Sequence, residues 1–338
     1  TLYFLARDLF NQRVALCTVI LYTLFPTGIM YSMFVTYEHW YILFMLLMLM
    51  TALRGIKSDK EYLLGLSGVL GGITYLIKPT ISPMIFLFLP YILLVSPFKE
   101  WKKKLKEVLF IILIFIFSCQ IINFWVTSST GVRIQDHSAA YSMMMGSSLI
   151  SRGGVDDTLV DRLNPYLAYP QTANQIAKDI AAENWENNPS MKSVLIYWKF
   201  LIQWSDEHVT HYLCAYVDSD NPGKFQHFVF TFIKDFRCYV MTYYGIILAL
   251  AFVGIFLGYS RQPWTVYFCL FLLFNIGMYF ILEVTPRYRY SMTPLMMIFA
   301  GYTLSYFPKE QVNLDLGKLF KQTIPGFFRK ADKSHLGQ

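Results

Sequence analysis

Charge is scarce in this sequence. Asp, Glu, Lys and Arg make up 15% of its 338 residues, where an ordinary soluble domain carries about a quarter. A chain so poor in charge cannot cover a soluble surface. Cysteine is equally sparse: five residues, with no CxxC pair and no zinc spacing, exclude a disulfide framework and a zinc ribbon. Cys17, Cys119 and Cys269 stand inside apolar runs and read as small core residues. Cys214 and Cys238 share a polar stretch and leave one disulfide open. No P-loop, GxGxxG or Ser-His-Asp order occurs. The net charge of +7 does not indicate nucleic acid, because the basic residues sit in short clusters between apolar runs. No basic face interleaved with aromatics is present.

What is abundant is apolar surface: 55% of residues are hydrophobic and 18% aromatic. A run of about 20 apolar residues spans a bilayer as a helix. The runs here predict an all-α polytopic membrane protein with transmembrane helices over 14–34, 37–53, 62–77, 81–96, 108–126, 239–258, 264–282 and 288–307. Residues 127–238 are polar, rich in Asn, Asp, Gly and Pro with Trp and Tyr clusters, and read as a large mixed extracytoplasmic loop domain. The expected organisation is therefore N-terminal helices in 1–126, the loop domain 127–238, C-terminal helices in 239–307 and a basic tail, 308–338.

Lys and Arg in short loops mark the cytoplasmic side. With residues 1–13 inside, the connections 54–61, 97–107, 259–263 and the tail also fall inside and hold most of the basic residues, among them Arg54, Lys57, Lys102, Lys103, Lys104 and Arg261. The 127–238 loop, with nine basic and 12 acidic residues, falls outside. Glu38, Lys78, Glu283, Arg287 and Arg289 fall on that same outer side. The pattern suits a bacterial plasma membrane with its active face outward, and a lumen-facing endoplasmic-reticulum protein has the equivalent topology.

Ionisable groups at a hydrocarbon boundary cost free energy, so each invites a functional reading beside a structural one. Glu38, in Val35-Thr36-Tyr37-Glu38-His39-Trp40, reads either as a first-turn acid behind a Thr36 cap or as a carboxylate that acts as a base or binds a sugar hydroxyl or a metal. Lys78, before Pro79, reads as a snorkelling helix-end cation or as a phosphate contact. Glu283-Val284-Thr285-Pro286-Arg287-Tyr288-Arg289-Tyr290 sets two arginines where topology disfavours them. They either anchor a helix or bind a phosphate through their guanidinium forks. Asp206-Glu207-His208 with His211, and Asp136-His137, read foremost as solvated polar turns, with a divalent ion as the alternative.

In this order the residues resemble the GT-C glycosyltransferases of the protein O-mannosyltransferase and aminoarabinose-transferase type. The resemblance rests on Ala6-Arg7-Asp8-Leu9-Phe10 with Arg13-Val14-Ala15-Leu16, Tyr31-Ser32 through Glu38, Gly71-Gly72 through Lys78-Pro79, and Glu283 through Tyr290 with Ser291-Met292-Thr293-Pro294. It covers residues 1–100 and 275–305. It implies a GT-C-like fold and transfer of a sugar from a polyprenyl-phosphate donor to a protein, lipid or envelope polymer. Glu38 is then the catalytic acid carried by this chain, Lys78, Arg287 and Arg289 are donor-phosphate contacts, and Tyr288, Glu283 and His39 line the substrate. A divalent metal ion stays open as cofactor, and donor, acceptor and membrane lipid are the expected partners. The family's main carboxylate lies in its first outer loop, whereas Leu2-Tyr3-Phe4-Leu5-Ala6 reads as the end of an earlier helix. The resemblance thus implies that the principal base precedes Thr1 and that residues 1–338 alone do not transfer sugar. The alternative function is a transporter or flippase for a lipid-linked precursor, which would show internal repeats or charged mid-membrane helices; neither is apparent.

Overall fold

In a computed structural model the described residues are 1–32, 37–97, 99–131, 139–205, 224–259 and 262–306. They form an all-α polytopic membrane protein, with no strand among the described residues. The N-terminal part contains α1 (Leu2–Leu9), α2 (Gln12–Thr23), α3 (Pro26–Ser32), α4 (Glu38–Ser58), α5 (Glu61–Ile77), α6 (Ile81–Phe86), α7 (Phe88–Val95) and α8 (Trp101–Thr130). The loop contributes α9 (Ala139–Ser147), α10 (Asp157–Leu163), α11 (Pro170–Asn187) and α12 (Lys192–Ser205). The C-terminal part contains α13 (Lys224–Tyr259), α14 (Trp264–Ile281), α15 (Pro286–Arg289) and α16 (Thr293–Tyr306). By length and composition, α4, α8, α14 and the Arg237–Tyr259 part of α13 are able to cross a membrane, and Glu61–Ile77 and Ile81–Val95 are shorter apolar helices.

Several predicted runs differ from the helices formed, for local reasons. The run 14–34 is broken at Leu24-Phe25, and Pro26, lacking an N–H, opens α3. The run 81–96 breaks at Leu87, because Pro90 has no N–H for the Phe86 carbonyl. The run 108–126 extends to the 30 residues of α8, about 45 Å at helical rise, and stops where Gly131 takes a left-handed φ of 74°. No proline or turn pair follows Pro222-Gly223, so α13 begins at Lys224, not near 239. The loop expected to be mixed is helical throughout 139–205 apart from turns and two 3-10 segments. Ala140, Met144, Leu159, Leu163, Ala173, Ala177 and Ile180 give it a small core of its own.

Glycines and hydroxyls let the spanning helices approach closely, as packing between membrane helices requires. A Cβ on Gly72 would lie 2.6 Å from the Ser118 Cβ, and one on Gly71 2.6 Å from Ile85. The Gly71-Gly72 pair therefore seats α5 against α8 and α6. A Cβ on Gly254 would lie 2.1 Å from the Phe299 carbonyl oxygen, where Thr303 Oγ1 also donates to Leu250 O at 2.7 Å. Gly254→Ala is expected to force the α13–α16 seam apart and cost about 1–3 kcal/mol. An unchanged thermal midpoint in lipid nanodiscs would show that this seam does not hold the two helices together.

The bundle has two polar ends. At one, Arg54 Nε donates to Asp8 Oδ2 at 2.5 Å, Lys57 Nζ to Asp8 O at 2.6 Å, and Gln262 to Leu9 O. Lys103 pairs with Asp59 at the same end, at 2.5 Å. At the other end stand Glu38, Lys78 and the 283–289 segment.

Candidate functional site

Three separate stretches of sequence meet at that second end. Glu38 opens α4, Lys78 caps the C-terminus of α5, and Arg287 and Tyr288 lie on α15 after the turn that follows α14. α4 and α5 are antiparallel neighbours, which returns the end of α5 to the start of α4. Glu38 is 2% exposed and its Oε1 lies 3.3 Å from Arg287 Nε. The Arg287 side chain keeps 30% exposure, so this is a buried carboxylate paired with a partly accessible guanidinium.

Lys78 is the open charge of the site. Its Nζ lies 4.3 Å from the Tyr288 ring centroid and 5.8 Å from that of Tyr41. Two aromatic faces thus hold the ammonium. Among the described residues it makes no hydrogen bond and no ion pair. Burial pulls its pKa down to about 8, Glu38 and Glu283 raising it and Arg287 adding to the depression. Tyr288 stacks on Tyr279, with centroids 5.3 Å apart, which fixes the ring beneath Lys78.

Glu283 is 6% exposed. Burial pushes its carboxyl above the usual range, opposed by Arg287, the Tyr288 hydroxyl, Lys78 and Lys199. Its segment is gripped by the loop domain: Glu283 N donates to Ser142 O at 2.7 Å, and Val284 N to Gly153 O at 2.9 Å. Lys199, which sequence reasoning missed, is fully buried in α12 and donates to Phe280 O at 2.9 Å. Burial lowers its pKa to about 7 against the pull of Glu283. Its one sequence signal was a lysine inside the aromatic run Tyr197-Trp198-Lys199-Phe200.

The remaining expected residues sit apart. Arg289 is 1% exposed, donates to Gln203 O, and lies 3.9 Å from the Tyr244 ring centroid. It therefore does not join Arg287 as a fork toward a common anion; side chains two apart on a helix point to nearly opposite sides. His39 turns edge-on to Tyr290 at 5.8 Å. Tyr290 is packed against Tyr31 at 4.6 Å, which ties the Tyr31-Ser32 and Glu283–Tyr290 stretches together. Thr36, Asp136, His137, Asp206, Glu207, His208, His211, Cys214, Arg261 and the 308–338 tail lie outside the described residues. Among the described residues no three His, Cys, Asp or Glu side chains gather as metal ligands do.

The site therefore combines a paired carboxylate, a partly accessible guanidinium and an ammonium set against the rings of Tyr288 and Tyr41. Such a set suits an oxyanion more than a neutral ligand. Compared with known proteins, the chain matches no curated protein and no solved structure. Residues 1–123, which include Glu38 and Lys78, match the family model described as dolichyl-phosphate-mannose-protein mannosyltransferase. The similarity to that family is confined to this N-terminal third of the chain.

Proposed function

We propose that this chain works as a glycosyltransferase that takes its sugar from a polyprenyl-phosphate donor on the extracytoplasmic face. The observation that supports it most is Lys78. An ammonium held between aromatic faces, with Arg287 beside it, is arranged for an anionic group brought by a ligand. The donor's phosphate lies against Lys78 and Arg287 while its hydrocarbon tail stays among the helices. In the reaction the bond from the sugar's anomeric carbon to the phosphate oxygen breaks, and a bond to the acceptor oxygen forms. The acceptor's proton goes to a base, and negative charge builds on the departing phosphate, where fixed cations stabilise it most. Glu38, buried and set on Arg287, orients that guanidinium and takes a positioning role within the site. Glu283 and Tyr288 stand beside the sugar, under a loop domain that keeps water out. The acceptor is a protein, lipid or envelope polymer.

The test is turnover in liposomes by the complete protein that contains residues 1–338, offered a polyprenyl-phosphate-linked sugar or a nucleotide sugar. Release of polyprenyl phosphate from the first donor alone, supplied on the side that bears the site, is the expected result. Movement of the intact lipid-linked sugar across the bilayer without cleavage would replace this reading with the transporter.

A further inference from the structure

We propose that the outward face of α12 is a membrane-docking surface, lying among the phospholipid headgroups and upper acyl chains at the end of the bundle that carries Glu38, Lys78 and Arg287. The reason is that α12 is inside out. A helix on a water-exposed domain turns its apolar stripe inward and its polar face outward. α11 of the same loop does so, burying Ala173, Ala177, Ile180 and Ala181 while Gln171, Gln175 and Lys178 are exposed. In α12 the buried positions are Leu195, Lys199 and Gln203, spaced by four residues along one side. The opposite side shows Val194, Tyr197, Trp198 and Phe200, with Tyr197 59% exposed.

Two hydrogen bonds, one from the Lys199 ammonium and one to the Gln203 backbone carbonyl, also fix the depth of this helix. Lys199 donates to the carbonyl of Phe280, one of the last four of α14, which lack partners within their own helix. Gln203 O accepts from Arg289. Both ties lie where a spanning helix ends, so the outward side of α12 is level with the bilayer boundary, the zone that Trp and Tyr favour. The neighbouring turn carries on the same surface. Ile150 is 84% exposed, and the Arg152 guanidinium lies 4.3 Å from the Trp198 ring centroid. An exposed cation beside an exposed indole matches a lipid phosphate above an acyl chain, the pattern of an interfacial amphipathic helix. Gly153, with φ 83°, lets this turn lie directly on the Lys199 side chain, whose Cε would be 2.2 Å from any Cβ there.

The experiment is photolabelling of the full chain in phosphatidylglycerol nanodiscs doped with a phospholipid that carries a diazirine near the top of its acyl chain. Adducts are mapped by mass spectrometry. Residues 194–201 are expected to label as strongly as the exposed Leu113 and Phe117 of α8, and several-fold above residues 171–178 of α11. Labelling of 194–201 no higher than that of α11 would overturn the proposal, whether water or a second copy of the chain covers the face. The readout does not depend on sugar transfer, so it stands or fails separately from the proposed activity.

Discussion

Arg287→Ala is expected to unfold the protein at a lower temperature and to abolish most donor use, and adding Glu38→Gln is expected to restore the first property without the second. Arg287 is the ion-pair partner of a carboxylate that is 2% exposed. Removing one member of a buried pair leaves the other charged and desolvated, at a cost of about 3–5 kcal/mol, with the lower end fitting a partner still 30% accessible. Glu38→Gln in the same chain removes that stranded charge. If Arg287 also holds the donor phosphate, its loss takes about 100-fold from turnover, the scale found when one fixed donor to a developing anion is deleted. The double variant therefore separates the two roles, in the manner of a double-mutant cycle. Recovery of turnover together with stability would show that Arg287 serves only to neutralise Glu38. The loss should fall on donor use far more than on acceptor use, and equal losses would count against a phosphate contact.

Lys78→Met is expected to remove donor binding while leaving the fold at least as stable as before. The ammonium sits at a pKa of about 8 because burial disfavours its charged form. Its folded pKa thus lies below that of an unfolded lysine, so keeping the charge below pH 8 costs folding free energy, and that cost is relieved as pH rises. A residue of this kind is not retained for stability. The same sign sets the pH profile: phosphate affinity is full below about pH 8 and falls as pH rises through it. Neighbouring charges set the direction of any change. Glu38→Gln withdraws a charge that raises the pKa and should move the fall to lower pH. Lys78→Arg, with a guanidinium that stays charged, should flatten the profile. A profile unchanged in Lys78→Arg would assign the fall to another group.

The membrane class and the meeting of Glu38, Lys78 and Arg287 were legible in the sequence for one reason. Apolar length counts spans, basic loops assign their ends, and parity then puts residues 38, 78 and 287 on one side although they lie far apart in the chain. Finer detail was not legible where two rules competed. Residues 14–34 have a spanning run's composition, yet Pro26 divides it into α2 and α3. The two arginines of the 283–290 stretch were read together because they are close in sequence. Helical geometry sends Arg289 to Gln203 and Tyr244 while Arg287 goes to Glu38. Lys199 escaped notice because amphipathic reading takes the outer face to be polar, and α12 reverses that order.

The most direct test of the central claim is equilibrium binding of polyprenyl monophosphate, with no sugar attached, to the full chain in lipid nanodiscs. The phosphate assignment predicts saturable binding that weakens as pH rises through about 8 and is lost in Lys78→Met, with the thermal midpoint of that variant no lower than that of the wild type. Binding of equal strength in the wild type and in Lys78→Met would contradict it, and would leave the ammonium between Tyr288 and Tyr41 as no more than a helix end.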